Sequence, residues 1–103
     1  MISDLTEKIL EWHHSRLITV NGNSEAQLLK LMEEFGELCA AVVRDDKGMI
    51  VDSLGDMYVV MTAIAQLEGT TMEECIECAY EEIKDRKGHL NENGIFIKDE
   101  EKV

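Results

Sequence analysis

The chain has 103 residues, 45% of them apolar and 31% charged, with no proline. That length and composition fit one domain with a modest core, and they favour uninterrupted helices over disorder. A balance of 22 acidic against 10 basic side chains gives a net charge of −12, which disfavours nucleic-acid polymers but admits a small phosphorylated ligand bridged by a divalent cation.

Helical spacing dominates, and an all-α, four-helix chain is expected, with helices over roughly 3–16, 24–44, 48–68 and 71–87 and a short extended tail over 88–103. The first helix opens at Ser3, a suitable N-cap, and carries Leu5, Ile9 and Trp12 on one face. "TVNGN" reads as a loop. Ser24 with Gln27 forms a capping-box pattern for the second helix, whose stripe is Leu28, Leu31, Phe35, Leu38 and Val42. "RDDKG" ends it.

The third helix, stopped by Gly69, is apolar on almost every side from Met57 to Leu67. Four short helices cannot enclose such a helix, so a homo-oligomer, dimer or tetramer, is expected to cover part of it. Thr71 with Glu74 is a second capping box, opening a helix that carries Ile76, Ala79, Tyr80 and Ile83. In the tail, Asn93-Gly94 before "IFIK" signals a hairpin or an extended arm.

The apolar run "MYVVMTAIAQL" is too short to span a bilayer, so a soluble, cytoplasmic protein without a membrane partner is expected. Its three cysteines are expected to be reduced, with Cys75 and Cys78 acting as small buried hydrophobes. Adjacent His13 and His14 point about 100° apart on a helix and cannot chelate one ion well; they read as surface or packing residues.

Acidic residues interrupt two apolar helix faces. In "EEFGEL", Glu34 and Glu37 lie about 60° apart at helical pitch and can reach one site. In "DSLGD", Asp52 and Asp56 are one turn apart, and Asp56 shares a face with Val59, Val60 and Ala63, which predicts substantial burial. Buried carboxylates need compensation. Lys30 stands one turn before Glu34, and no lysine or arginine follows Lys47 in the third helix. A hard cation, magnesium with manganese as a substitute, is the simpler partner. Gly36 and Gly55 bracket these pairs and, as glycines inside helices, suggest close approaches. A solvated helix face paired to Lys30 is the plainer account of Glu33.

These residues resemble the MazG-like members of the all-alpha nucleoside triphosphate pyrophosphohydrolase superfamily, short phage-type members in particular. Glu33, Glu34 and Glu37 match the family's EExxE motif. "DSLGD" matches its second acidic motif, ExxD, at Asp56, with Ser53 in place of the glutamate and Asp52 one position earlier. "ILEWHHSRLI" is similar to the W-x-x-x-R segment, "QLLKLMEE" to the glutamine-lysine lead-in and "EIKDRKGHLNENGIFIK" to the closing segment.

The resemblance implies hydrolysis of a nucleoside or deoxynucleoside triphosphate to monophosphate and pyrophosphate by water attack at the α-phosphorus. Magnesium would be held by Glu34, Glu37, Asp56 and either Asp52 or no fourth carboxylate, and the general base would be Glu33, Glu34 or Glu37. Arg16, Lys30, Lys84, Arg86 and Lys87 would reach triphosphate oxygens, although basic residues closing the fourth helix also complement its dipole. Gln27 and Trp12 would neighbour the base or sugar, with Trp12 otherwise a core anchor. Ser53 keeps a second class open, a catalytically silent module binding a nucleotide or protein through the same acidic groove.

Overall fold

Two long helices joined by a tight turn organise the chain, which a computed structural model describes over residues 3–99. They are α3 (Ser24–Val43) and α4 (Lys47–Leu67), preceded by α1 (Asp4–Ser15) and the single-turn α2 (Ile18–Asn21). α5 (Met72–Ile83) follows, then β1 (Gly88–Leu90) and β2 (Phe96–Lys98). The chain divides into two compact units, the first running through Glu73 and the second starting at Glu74.

The connection between α3 and α4 holds only Arg44, Asp45 and Asp46, so the helices are antiparallel neighbours. Asp45 turns the chain with φ 53°, a left-handed conformation that aspartate tolerates better than most residues. Asp46 then caps α4, its Oδ1 accepting from the Met49 N–H at 3.1 Å. At the other end Gly69, φ 78°, closes a Schellman motif, with Thr70 N–H donating to Ala65 O at 2.9 Å and Gly69 N–H to Gln66 O at 3.1 Å. Ala41 on α3 and Val60, Ala63 and Ala65 on α4 form the buried apolar core.

The expected N-cap of α3 moves by one residue. Asn23, not Ser24, accepts from the Ala26 N–H at 2.8 Å, while Ser24 is the first helical residue and donates its hydroxyl to Glu68. The segment read as a loop contains α2, so five helices rather than four lie among the described residues. β-branched Ile18, Thr19 and Val20 favour helix poorly, and one turn forms because its ends are fixed. Leu17 enters it at φ 62°, and Gly22 N–H donates to Ile18 O at 2.9 Å. A side chain at Gly22 would lie 2.2 Å from that oxygen.

α1 presents its polar side to α4. Thr6 and His13 are buried, whereas Leu5 and Trp12 are 70% and 45% exposed. Trp12 is therefore not the core anchor that apolar spacing suggests. Ser3 caps α1, accepting from Thr6 N–H at 3.1 Å, and the Thr6 hydroxyl lies 3.0 Å from Tyr58 Oη on α4. Two turns beyond, His13 Nε2 lies 2.8 Å from Val59 O and 3.1 Å from Thr62 Oγ1. A carbonyl only accepts, so Nε2 carries the proton, and buried Nδ1 keeps a lone pair without a hydrogen-bond partner. His14 is exposed. His13→Ala should cost about 2 kcal/mol by removing a buried side chain and its hydrogen bonds, read as a lower thermal midpoint.

By length and composition α4, with 21 residues, could cross a bilayer, although its longest uninterrupted apolar run could not. It lies instead against α1, α2 and α3 and carries Asp52 and Asp56. Before the apolar stretch from Met57 to Leu67, its Val51 and Leu54 are exposed. Among the described residues, nothing beyond the helix's own local backbone lies within 4 Å of a methyl built on Gly36 or Gly55, so these glycines mark no close approach there.

In the second unit the hairpin signal holds: β1 and β2 pair antiparallel, with Leu90 opposite Phe96. Asn91 Oδ1 closes the loop by accepting from the N–H groups of Asn93 at 2.9 Å and Ile95 at 3.0 Å. Cys75 and Cys78 are exposed free thiols, as is Cys39 in the first unit, and are not buried hydrophobes.

Candidate metal centre

The antiparallel α3–α4 pair brings the two acidic motifs together. Glu34 occupies the α3 face that also buries Ala41 two turns on, and Asp56 the α4 face that buries Ser53 and Val60. Glu34, Glu37 and Asp56 each offer a carboxylate oxygen within 4.8 Å of the others. Glu34 is buried, Asp56 partly buried and Glu37 exposed at the rim. Asp56 is thus less enclosed than its spacing suggests, because the α1 side of α4 is open at this level.

Charge compensation is incomplete. Lys30 Nζ lies 3.4 Å from Glu34 Oε1 and 3.6 Å from Glu33 Oε2. Glu33 first and Glu34 second raise the Lys30 pKa. Glu34 Oε2 is buried with no hydrogen-bond partner. Asp56 is held above the usual carboxylate range, chiefly by burial, then by the charges of Asp52 and Glu34, with Lys30 opposing. Two ionised carboxylates are both acceptors and repel, so a proton or a cation between Glu34 and Asp56 would favour their approach. At no more than 4.8 Å apart, such a pair repels by at least roughly 3 kcal/mol at an effective dielectric of about 20. An orphaned buried oxygen among three converging hard donors fits an oxygen-liganded divalent cation.

The remaining candidates separate. Glu33 has a side chain 61% exposed and pairs with Lys30, as the plainer account of it expects. Asp52 is exposed and outside the three-carboxylate set, although its charge acts on Asp56. Ser53 is buried. Gln27, partly buried, precedes Glu34 by two turns of the same helix. Lys84, Arg86 and Lys87 belong to the second unit, where Lys84 Nζ pairs with Glu81 at 2.7 Å.

Beside Asp56 a groove of about 430 Å³ opens between α1 and α4, lined by Leu5, Lys8, Ile9, Trp12, Asp56 and Val59. Arg16 stacks over Trp12, its guanidinium carbon 4.4 Å from the ring centroid, and donates from Nη1 to Ser15 Oγ at 3.0 Å. The groove and Lys8 were not legible as a site in the sequence. The one available signal is the shared helical face of Leu5, Lys8, Ile9 and Trp12.

Fold and site together define an all-α domain with a paired-helix carboxylate centre. The chain belongs to the MazG nucleotide pyrophosphohydrolase domain family, whose profile it matches over residues 23–91. It is also 38% identical over 65 residues to an uncharacterized 18.2 kDa protein from the rep-hol intergenic region of Haemophilus phage HP1. That match takes in 63% of this chain but 40% of the phage protein, so the similarity spans less than half of the relative. No solved structure matches the chain significantly.

Proposed function

We propose that the protein hydrolyses a nucleoside or deoxynucleoside triphosphate to the monophosphate and pyrophosphate, using Glu34, Glu37 and Asp56 to hold magnesium, or manganese in its place. The observation that carries this reading is the convergence of those carboxylates around the orphaned Glu34 oxygen. A divalent cation bound there would neutralise phosphate charge and favour in-line displacement.

Lys30 restrains Glu34, and solvent-facing Glu37 is placed to accept the proton of the attacking water as general base. The water oxygen bonds to the α-phosphorus as the bond from that phosphorus to the bridging oxygen breaks, and pyrophosphate leaves with the bridging oxygen. Trp12 offers a face to the base and Gln27 a polar neighbour to the base or sugar, while Arg16 supplies a cation for the phosphate chain. In this reading Asp52 tunes Asp56 through space, Glu33 holds Lys30, and the enzyme works in the cytoplasm without a nucleic-acid polymer or membrane partner.

Self-association belongs to the same proposal. On α3 the face opposite Glu34 exposes Leu29, Met32 and Val43, with Gly36 among them. An apolar stripe interrupted by a glycine suits the close approach of a second copy. Gly36→Ala should weaken association by about tenfold or more, by overpacking the contact, while leaving the isolated chain at least as stable. Sedimentation across a concentration series checks both the association and its weakening.

The reaction is tested by incubating the protein with a panel of triphosphates, with and without magnesium, and separating the products. Magnesium-dependent monophosphate and pyrophosphate are expected; diphosphate and orthophosphate would overturn the assignment. Buried Ser53, at the position of the family's second-motif glutamate, favours one other reading, a silent nucleotide-binding module. In that case nucleotide binds without turnover, and Glu37→Gln leaves binding unchanged.

A further inference from the structure

Lys8 is the one basic residue among those that line the α1–α4 groove. Asp4 and Glu11 flank it one turn away on either side, as partners for surface ion pairs, yet among the described residues it is in no ion pair. Its side chain instead lines the α1–α4 groove with Trp12 and Asp56. Lys30 is engaged by Glu33 and Glu34, and Arg16 lies over Trp12.

Charge counting gives this placement a consequence. Three ionised carboxylates with one divalent cation leave a net negative centre, in a protein already at −12. A polyphosphate entering beside Asp56 therefore needs further positive charge close by. A lysine on a flexible apolar stem can lie along the groove wall and turn its ammonium to whichever phosphate oxygen arrives.

Building on the reading of the site given above, we infer that Lys8 is a substrate-binding residue, its ammonium contacting the phosphate chain of a nucleotide whose base lies against Trp12. This contact makes the groove selective for ligands with several phosphates over the corresponding nucleoside.

Trp12 is the sole tryptophan and lines this groove, so its fluorescence reports binding directly. The experiment titrates a nucleoside and its mono-, di- and triphosphate, with magnesium, into the intact protein and into Lys8→Gln and Lys8→Arg. The nucleotide used is the one the wild type hydrolyses best. Lys8 is exposed, and matching thermal midpoints establish that the variants fold. Lys8→Gln should weaken triphosphate binding about tenfold, the worth of one charge-assisted hydrogen bond, with little effect on the nucleoside, and Lys8→Arg should restore most of the loss. Salt should weaken wild-type triphosphate binding more steeply than that of Lys8→Gln. Equal losses for nucleoside and triphosphate would place Lys8 at the base and overturn the inference, as would unchanged binding by Lys8→Gln. If the wild type itself neither hydrolyses nor binds any nucleotide, the reading of the whole site fails; normal wild-type turnover with unaffected Lys8→Gln refutes Lys8 alone.

Discussion

Glu34→Gln should lower magnesium-dependent turnover by more than about a hundredfold, since groups that merely support a metal ligand are worth ~10–100-fold. The metal-free protein should nevertheless be no less stable, and its thermal midpoint is expected to rise. Glu34 is buried with one oxygen unpartnered, so ionisation there costs desolvation and repels Asp56. The amide keeps the shape, removes the charge and supplies a donor where two acceptors faced each other. Glu33→Gln is the control: its side chain is 61% exposed, and its loss should reduce turnover far less. Steady-state kinetics and thermal melts of the two variants decide the matter; equal kinetic losses would mean that the buried oxygen is not where the cation binds.

The metal-free protein should gain stability as pH falls from neutrality towards the ordinary carboxylate range, and magnesium should abolish most of that dependence. Burial and the neighbouring charges of Asp52 and Glu34 raise the Asp56 pKa. A carboxyl with a raised value in the folded state binds its proton more tightly there than in the unfolded chain. Its contribution to stability is fully present below the ordinary carboxylate range and is lost as pH rises through the raised value. A divalent cation takes the place of the proton, so its affinity should fall as pH falls. At a hundred times its dissociation constant, magnesium should add about 2.7 kcal/mol, roughly ten degrees or more in a chain this short. Calorimetry across that pH range, with and without magnesium, measures both effects; a metal-free midpoint that falls on acidification would contradict them.

The acidic centre was legible because helical spacing carries it. Glu34 and Glu37, three residues apart, and Asp56, on the Val60 and Ala63 face, need only an antiparallel pairing of their helices to meet, and the short link through Asp45 supplies it. Ser3, Gly69 and the Asn93-Gly94 turn were readable for the same local reason. Trp12 was not. Apolar spacing assigns Leu5, Ile9 and Trp12 to the core, but the long-range hydrogen bonds of Thr6 and His13 to Tyr58, Val59 and Thr62 turn the other side of α1 inward. α2 was missed because its β-branched residues argue against helix, and the turn depends on left-handed Leu17 and the approach at Gly22. Gly36 and Gly55 were misread as internal contacts because glycine records the need for space without identifying the neighbour.

The polar docking of α1 also fixes its register. Apolar surfaces attract over a broad area and allow a helix to slide by one turn, about 5.4 Å, at modest cost. The hydrogen bond from His13 to Val59 O and the one between the Thr6 and Tyr58 hydroxyls do not, since the same slip would strand a ring nitrogen and two hydroxyls in the interior. α1 is therefore indexed along α4, and the indole of Trp12 stays level with Asp56 at the cost of a less apolar seam. An apolar residue of similar volume at His13 could preserve the docking while releasing that alignment, separating how firmly α1 is held from where it is held.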